Sequence, residues 1–159
     1  MDELERKRAA GRRIRSELGL DKYGDPWSGK SEEFADHTLT ELWGTLFTRP
    51  GLTLREREMI TLAVIIAVGG SIKNMAPHLR GCMHLGLTDQ QIREIIIQTM
   101  YYAGWPKGAA ATHIYEEVKA IEEQRRQAGR AAPARRKSGR SGAGRAPVKA
   151  ERKARGKTR

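Results

Sequence analysis

The chain has 159 residues, a formal net charge of +11 and an isoelectric point near 10.2. The charge is uneven: residues 125–159 hold 14 Lys and Arg against one acid, Glu151, whereas residues 1–124 sum to −2, so the body needs no polyanionic partner. The longest apolar run, residues 59–68, is far short of the roughly 20 residues of a membrane span, and the single cysteine, Cys82, excludes an internal disulfide framework.

The charged start, MDELERKRAAG, has no apolar stretch of the secretory kind. The expectation is a cytoplasmic protein with one domain, residues 1–125, followed by a tail. Residues 2–18 read as a charged helix with Leu4, Ile14 and Leu18 as its few apolar points. Residues 19–30, GLDKYGDPWSGK, are rich in Gly, Asp and Pro and read as a loop. Ser31 is the N-cap of a second helix, 32–48, with Phe34, Leu39, Leu42, Trp43, Leu46 and Phe47 on its apolar face. Pro50-Gly51 ends it.

Thr53-Leu54-Arg55-Glu56 is a capping box, in which hydroxyl and carboxylate each accept a backbone N–H of the first turn. The β-branched run that follows fits a buried strand by periodicity alone. The cap and a length of about 16 residues decide for a helix that ends at Gly69-Gly70. A helix apolar on nearly all sides is buried on nearly all sides. One small domain hardly covers it, so a neighbouring subunit is expected to help.

A fourth helix, 72–85, stops at Gly86, and Pro77 places its start near Asn74. Thr88-Asp89-Gln90-Gln91 is a second capping box. It opens a fifth helix with Ile92, Ile95, Ile96, Thr99, Met100 and Tyr101 inward, ending at Gly104. Pro106 starts a sixth helix, through Ile114, Tyr115, Val118 and Ile121. No strand pattern occurs, so the fold class is all-α with six helices. Beyond Glu123 the only large aliphatic residue is Val148. Such a segment cannot offset its ordering entropy by burial, and residues 126–159 are expected to be disordered.

A series of short pieces runs through the body. It begins with Gly11-Arg12-Arg13-Ile14-Arg15 and Leu18-Gly19. Trp43-Gly44, Thr48-Arg49-Pro50-Gly51-Leu52 and Arg57 follow. His78-Leu79-Arg80 then leads to Leu85-Gly86-Leu87-Thr88, Ile92-Arg93-Glu94-Ile95, Gln98 and Tyr102-Ala103-Gly104-Trp105-Pro106. In order and spacing the series resembles the carboxymuconolactone decarboxylase family over about 120 residues. The resemblance implies a six-helix subunit of the alkylhydroperoxidase D-like type, assembled as a trimer or hexamer. It also implies cofactor-independent decarboxylation of a carboxylated lactone in aromatic-compound catabolism. The peroxidase members of that superfamily use a CxxC pair ahead of the histidine. Ser71 and Asn74 stand at those positions here, and disulfide chemistry is not implied. Where the decarboxylases tend to carry a glutamate four residues before the histidine, this chain has Asn74, with Lys73 beside it.

Loss of CO2 next to an unsaturated lactone leaves a dienolate that must be protonated. His78 suits that step, because imidazole titrates near neutrality; the plain alternative is a helix histidine bonded to a nearby carbonyl. Glu58 matches the acidic residue near the start of the buried helix. If buried it can shuttle a proton or orient His78; if exposed it only complements the helix N-terminus. Arg57 and Arg49 offer planar, permanently charged forks for a substrate carboxylate, or ion pairs and a turn anchor. Cys82 shares a helix face with His78, and Trp43 can line an apolar pocket, although both residue types are more often core.

No cofactor and no metal site is expected, since a zinc site would need a third ligand from elsewhere. Two further readings are a peroxide- or electrophile-handling protein using Cys82 alone, and a non-enzymatic helical oligomer whose basic tails contact nucleic acid through phosphates. The expected partners are a small carboxylate substrate and further copies of the chain, with no membrane.

Overall fold

Four of the helices begin where a side chain holds a free backbone N–H. In the computed structural model, which describes residues 1–131, Asp2 accepts from the Glu5 amide at the head of α1 (Glu3–Glu17). Ser31 caps α2 (Glu32–His37). The capping box of Thr53 and Glu56 opens α3 (Leu54–Val68), and that of Thr88 and Gln91 opens α5 (Asp89–Ala103). Between these lies α4 (Ile72–His84), and α6 (Trp105–Ala131) closes the described chain. Gly69, Gly86 and Gly104 follow α3, α4 and α5 at positive φ, where residues with a Cβ are strained. Among the described residues there is no strand, and the fold is all-α with six helices, as expected. None of the described helices is long and apolar enough to cross a membrane.

Several boundaries depart from expectation. The loop 19–30 contains a 3-10 turn, Asp21–Tyr23. The second helix changes character: after α2 it runs on as a π-helical segment, Thr38–Leu46, and ends there. The fourth helix starts at Ile72, not near Asn74, with Pro77 inside it. Proline at this position removes the helical bond to the Lys73 carbonyl; Lys73 and Pro77 both line a cavity described below. The sixth helix continues to Ala131, so residues 126–131 are helical rather than disordered. Arg, Gln and Ala favour helix without burial, and Arg125 and Arg126 lie 3.9 Å from carboxylates one turn back. The rest of the expected tail, 132–159, lies outside the described residues.

The core has two parts. Leu62 and Ile66 of α3 meet Met75, Leu79 and Cys82 of α4, Ile92 and Ile96 of α5, and Ala111, Tyr115 and Val118 of α6. A second cluster joins Ile14, Leu18 and Leu20 to Trp43 and Phe47. It depends on a close crossing of α1 with the π-helical segment. A Cβ on Gly44 would sit 2.2 Å from the Lys7 carbonyl oxygen, and one on Gly11 would sit 2.2 Å from that of Leu39. The two backbones touch where side chains are missing.

The chain by itself buries only Glu58, Leu62 and Ile66 of α3. Ile60, Val64 and Val68 are 51%, 55% and 72% exposed. They recur every fourth residue and so form one outward stripe.

Candidate active site

The site lies where the two core clusters meet. His78 comes from α4, Glu58 from the first turns of α3, and Trp43 from the π-helical segment. Glu58 is fully buried and His78 is 8% exposed. The His78 Nδ1 and Glu58 Oε2 are 2.9 Å apart. The Trp43 ring lies over the imidazole, with centroids 5.8 Å apart and planes 30° from parallel. Gly81, one turn beyond His78 on α4, leaves room for the carboxylate: a Cβ there would be 3.2 Å from Glu58 Cδ.

His78 and Trp43 open on a cavity of about 900 Å³. Its apolar walls include Leu39, Leu42, Ile65, Ala76, Val118 and Ile121. Four cations line it, Arg15, Lys30, Lys73 and Arg80, against one carboxylate, Asp25. Three of these cations have backbone or side-chain partners. Arg15 donates to the Gly24 carbonyl, Lys30 to that of Pro26, and the Arg80 Nε to Glu122. Lys73 makes no hydrogen bond or ion pair among the described residues. The Ser71 hydroxyl donates to Asn74 Oδ1 at 2.7 Å, so the two positions of a redox cysteine pair are occupied by a neutral hydrogen bond.

The remaining expected site residues lie elsewhere. Arg57 does not line the cavity; its guanidinium donates to the Arg49 carbonyl at 2.7 Å and ties down the turn before α3. Arg49 is exposed on that turn and is also off the cavity wall. Cys82 is fully buried in the core. Burial, and then the Glu58 charge, push its thiol well above the ordinary range. Reactive cysteines need an exposed, electropositive setting, so a peroxide-handling role for Cys82 has no support in this geometry.

The residues that sequence reasoning passed over are Lys73, Arg80 and Gly81. Lys73 and Arg80 flank His78 on its own helix, which is a usable signal. Gly81 gives none, because the group that needs its space comes from α3.

Chemically, the pair can hold a proton out of water. Nδ1 is taken by Glu58, which leaves Nε2 as the ring nitrogen without a partner among the described residues. Glu58 Oε1 is buried and also has no partner there. The arrangement is an imidazole, held at Nδ1 by a buried carboxylate, facing a mostly apolar cavity with a lysine on its wall.

Residues 32–117 match the carboxymuconolactone decarboxylase family. The chain is similar to a 4-carboxymuconolactone decarboxylase of Acinetobacter baylyi, with 35% identity over 88 residues, covering 55% of this chain and 65% of that protein. It is also similar to a nitrosuccinic acid decarboxylase of Metarhizium robertsii, with 36% identity over 64 residues, covering 40% of this chain and 44% of that protein. The chain thus spans less than two thirds of the length of these relatives. The family match covers just over half of the sequence and includes both halves of the His78–Glu58 pair; the chain belongs to the carboxymuconolactone decarboxylase family.

Proposed function

We propose that the protein is a cofactor-independent carboxy-lyase acting on a small carboxylated lactone or a related acid, of the kind produced in the breakdown of aromatic compounds. The substrate enters the 900 Å³ cavity with its carboxylate against Lys73. The carbon–carboxylate bond breaks, CO2 leaves, and the electron pair moves into the conjugated carbonyl as a dienolate. Protonated His78 delivers the Nε2 proton to carbon, and water later returns one proton to the ring. Glu58 is a positioning residue: it accepts from Nδ1 and stabilises the charged imidazole until transfer. Trp43 and the aliphatic wall keep water away from the reacting carbon.

The observation that carries this reading is the buried His78–Glu58 pair, 2.9 Å apart, at the wall of a mostly apolar cavity. The names of the two relatives, both decarboxylases, support it. The test is CO2 release from a series of small carboxylated lactones and nitro acids. Replacing His78→Asn should lower kcat about 10²–10⁴-fold, the usual worth of a positioned acid. Lys73→Gln should act mainly on KM. No CO2 from any compound with the unaltered protein removes the proposal.

The reading includes a homo-oligomer, with three or six copies as the family resemblance implies. Its support is the apolar stripe Ile60, Val64 and Val68, which the chain by itself leaves open to solvent.

A further inference from the structure

A second cavity, of about 410 Å³, shares Tyr23 and Arg80 with the substrate cavity but has a different character. Four cations line it, Lys22, Arg80, Arg125 and Arg126, and Glu122 is its one carboxylate. These groups come from the 3-10 turn, α4 and α6, so the cluster is assembled by the fold and is not a run in the sequence.

The one carboxylate is already used. Glu122 Oε1 accepts from Arg80 Nε at 2.8 Å and Oε2 accepts from the Tyr23 hydroxyl at 2.5 Å. Burial would raise this carboxyl, but the bonds from Tyr23 and Arg80 and the nearby guanidinium charges outweigh it, and Glu122 stays ionised. Arg125 comes no closer to that carboxylate than 3.9 Å. Lys22 makes no ion pair among the described residues. The cations converge instead on one ring: Arg80, Arg125 and Lys22 lie 4.4, 4.8 and 5.0 Å from the Tyr23 centroid. A ring quadrupole attracts each cation but does not cancel their mutual repulsion. Arg80 spends its Nε on Glu122, and its two terminal nitrogens have no hydrogen bond among the described residues. Its side chain is 17% exposed, which makes it a fixed floor, while Arg125 at 52% is a movable arm.

We propose that this cavity binds the phosphate group of a small soluble anion, with Arg80 as its floor and Lys22, Arg125 and Arg126 closing over it. Several forks and an ammonium around one concavity suit a group with three or more oxygens and two or more charges. A single carboxylate offers only two oxygens and one charge. Neither His78 nor Glu58 lines this cavity, so the site is distinct from the proposed catalytic pair although Tyr23 and Arg80 line both cavities.

The test is calorimetric titration of the full-length protein with pyrophosphate, in parallel with two charge-matched double variants. The unaltered chain should show saturable binding of one ligand per chain. Lys22→Gln with Arg125→Gln should weaken it about tenfold or more, as expected when charged donors are lost. Lys149→Gln with Arg152→Gln, in the basic tail, should change it less than about twofold. Malonate should bind the unaltered protein about tenfold more weakly than pyrophosphate. Equal weakening by the two double variants, absence of saturable binding, or equal binding of malonate each overturns the proposal. Lys22 and Arg125 are exposed, and unchanged thermal unfolding shows that the fold is kept. Should the double variant unfold, Arg126→Gln alone must still weaken binding, and an unchanged affinity then overturns the proposal.

Discussion

Which nitrogen His78 offers to the cavity is decided one helix away. Glu58 occupies Nδ1 at 2.9 Å, and Gly81 keeps the space that the carboxylate fills. Glu58→Gln keeps the shape and removes the charge. It should lower kcat about 10–100-fold with KM little changed, since the ring loses the carboxylate that orients it. Steady-state kinetics measure both, and a variant with unaltered kcat would make Glu58 merely structural. His78 and Glu58 were legible in the sequence because each sits at a distinctive place: the histidine in a short motif, the acid at the mouth of an apolar helix. The role of Arg57 was not legible. A guanidinium in the first turn of α3 has many reachable acceptors, and only the folded turn shows that the Arg49 carbonyl takes it. The cavity that gathers Lys73 and Arg80 was not legible for a related reason, because it forms only once the π-helical segment lies opposite α4.

At the scale of elements, the caps were readable and the crossings were not. Thr53, Thr88 and Ser31 announce their helices, and the structure uses all three as written. The approach of α1 to the π-helical segment depends instead on two glycines 33 residues apart, at each of which an added methyl carbon would lie 2.2 Å from a backbone carbonyl oxygen. Gly44→Ala should cost about 1–3 kcal/mol or more, because a backbone carbonyl cannot swing away as a side chain can. Gly129→Ala, in a helix with nothing nearby, should be neutral or stabilise by about 0.5–1 kcal/mol. Urea unfolding of the two variants separates packing from propensity.

The contact of α5 with α6 carries a pH dependence. Asp89 accepts from Lys119, from Arg93 at 2.8 Å and from the Tyr115 hydroxyl at 3.0 Å, and these bonds hold its carboxyl far below the usual range. A carboxyl lowered by folding stabilises above its unfolded value and loses that contribution as the pH falls toward the folded one. Asp89→Asn should therefore lower the Tm at pH 7. The gap from the unaltered protein should narrow steadily below about pH 4, the ordinary aspartate range. A gap that stays constant down to strong acid would mean that the charge of Asp89 is irrelevant.

For the whole molecule, the sequence showed that α3 is too apolar to stand alone, and the structure shows where the surplus goes. Leu62 and Ile66 fill the core of the chain, while Ile60, Val64 and Val68 remain open. Composition tells how much apolar surface a helix has, but not which part a single chain covers. If copies of the chain cover the rest, Val64→Asp should shift the mass in solution from three or six chains to one, because a buried unpaired charge is costly. Light scattering decides, and a variant that stays assembled places the interface elsewhere. The tail had the opposite difficulty: its composition argued against burial, yet helix propensity and ion pairs one turn apart extend α6 to Ala131 without it.

The proton's route from His78 to carbon is the claim on which the account depends. The most direct measurement is NMR of the product formed from a carboxylated lactone in deuterated water. A single deuterium should appear at one carbon in one configuration, and His78→Asn should slow both its formation and the release of CO2 by about 10²–10⁴-fold. Product labelled in both configurations, or formed as fast by the His78→Asn protein, would contradict it.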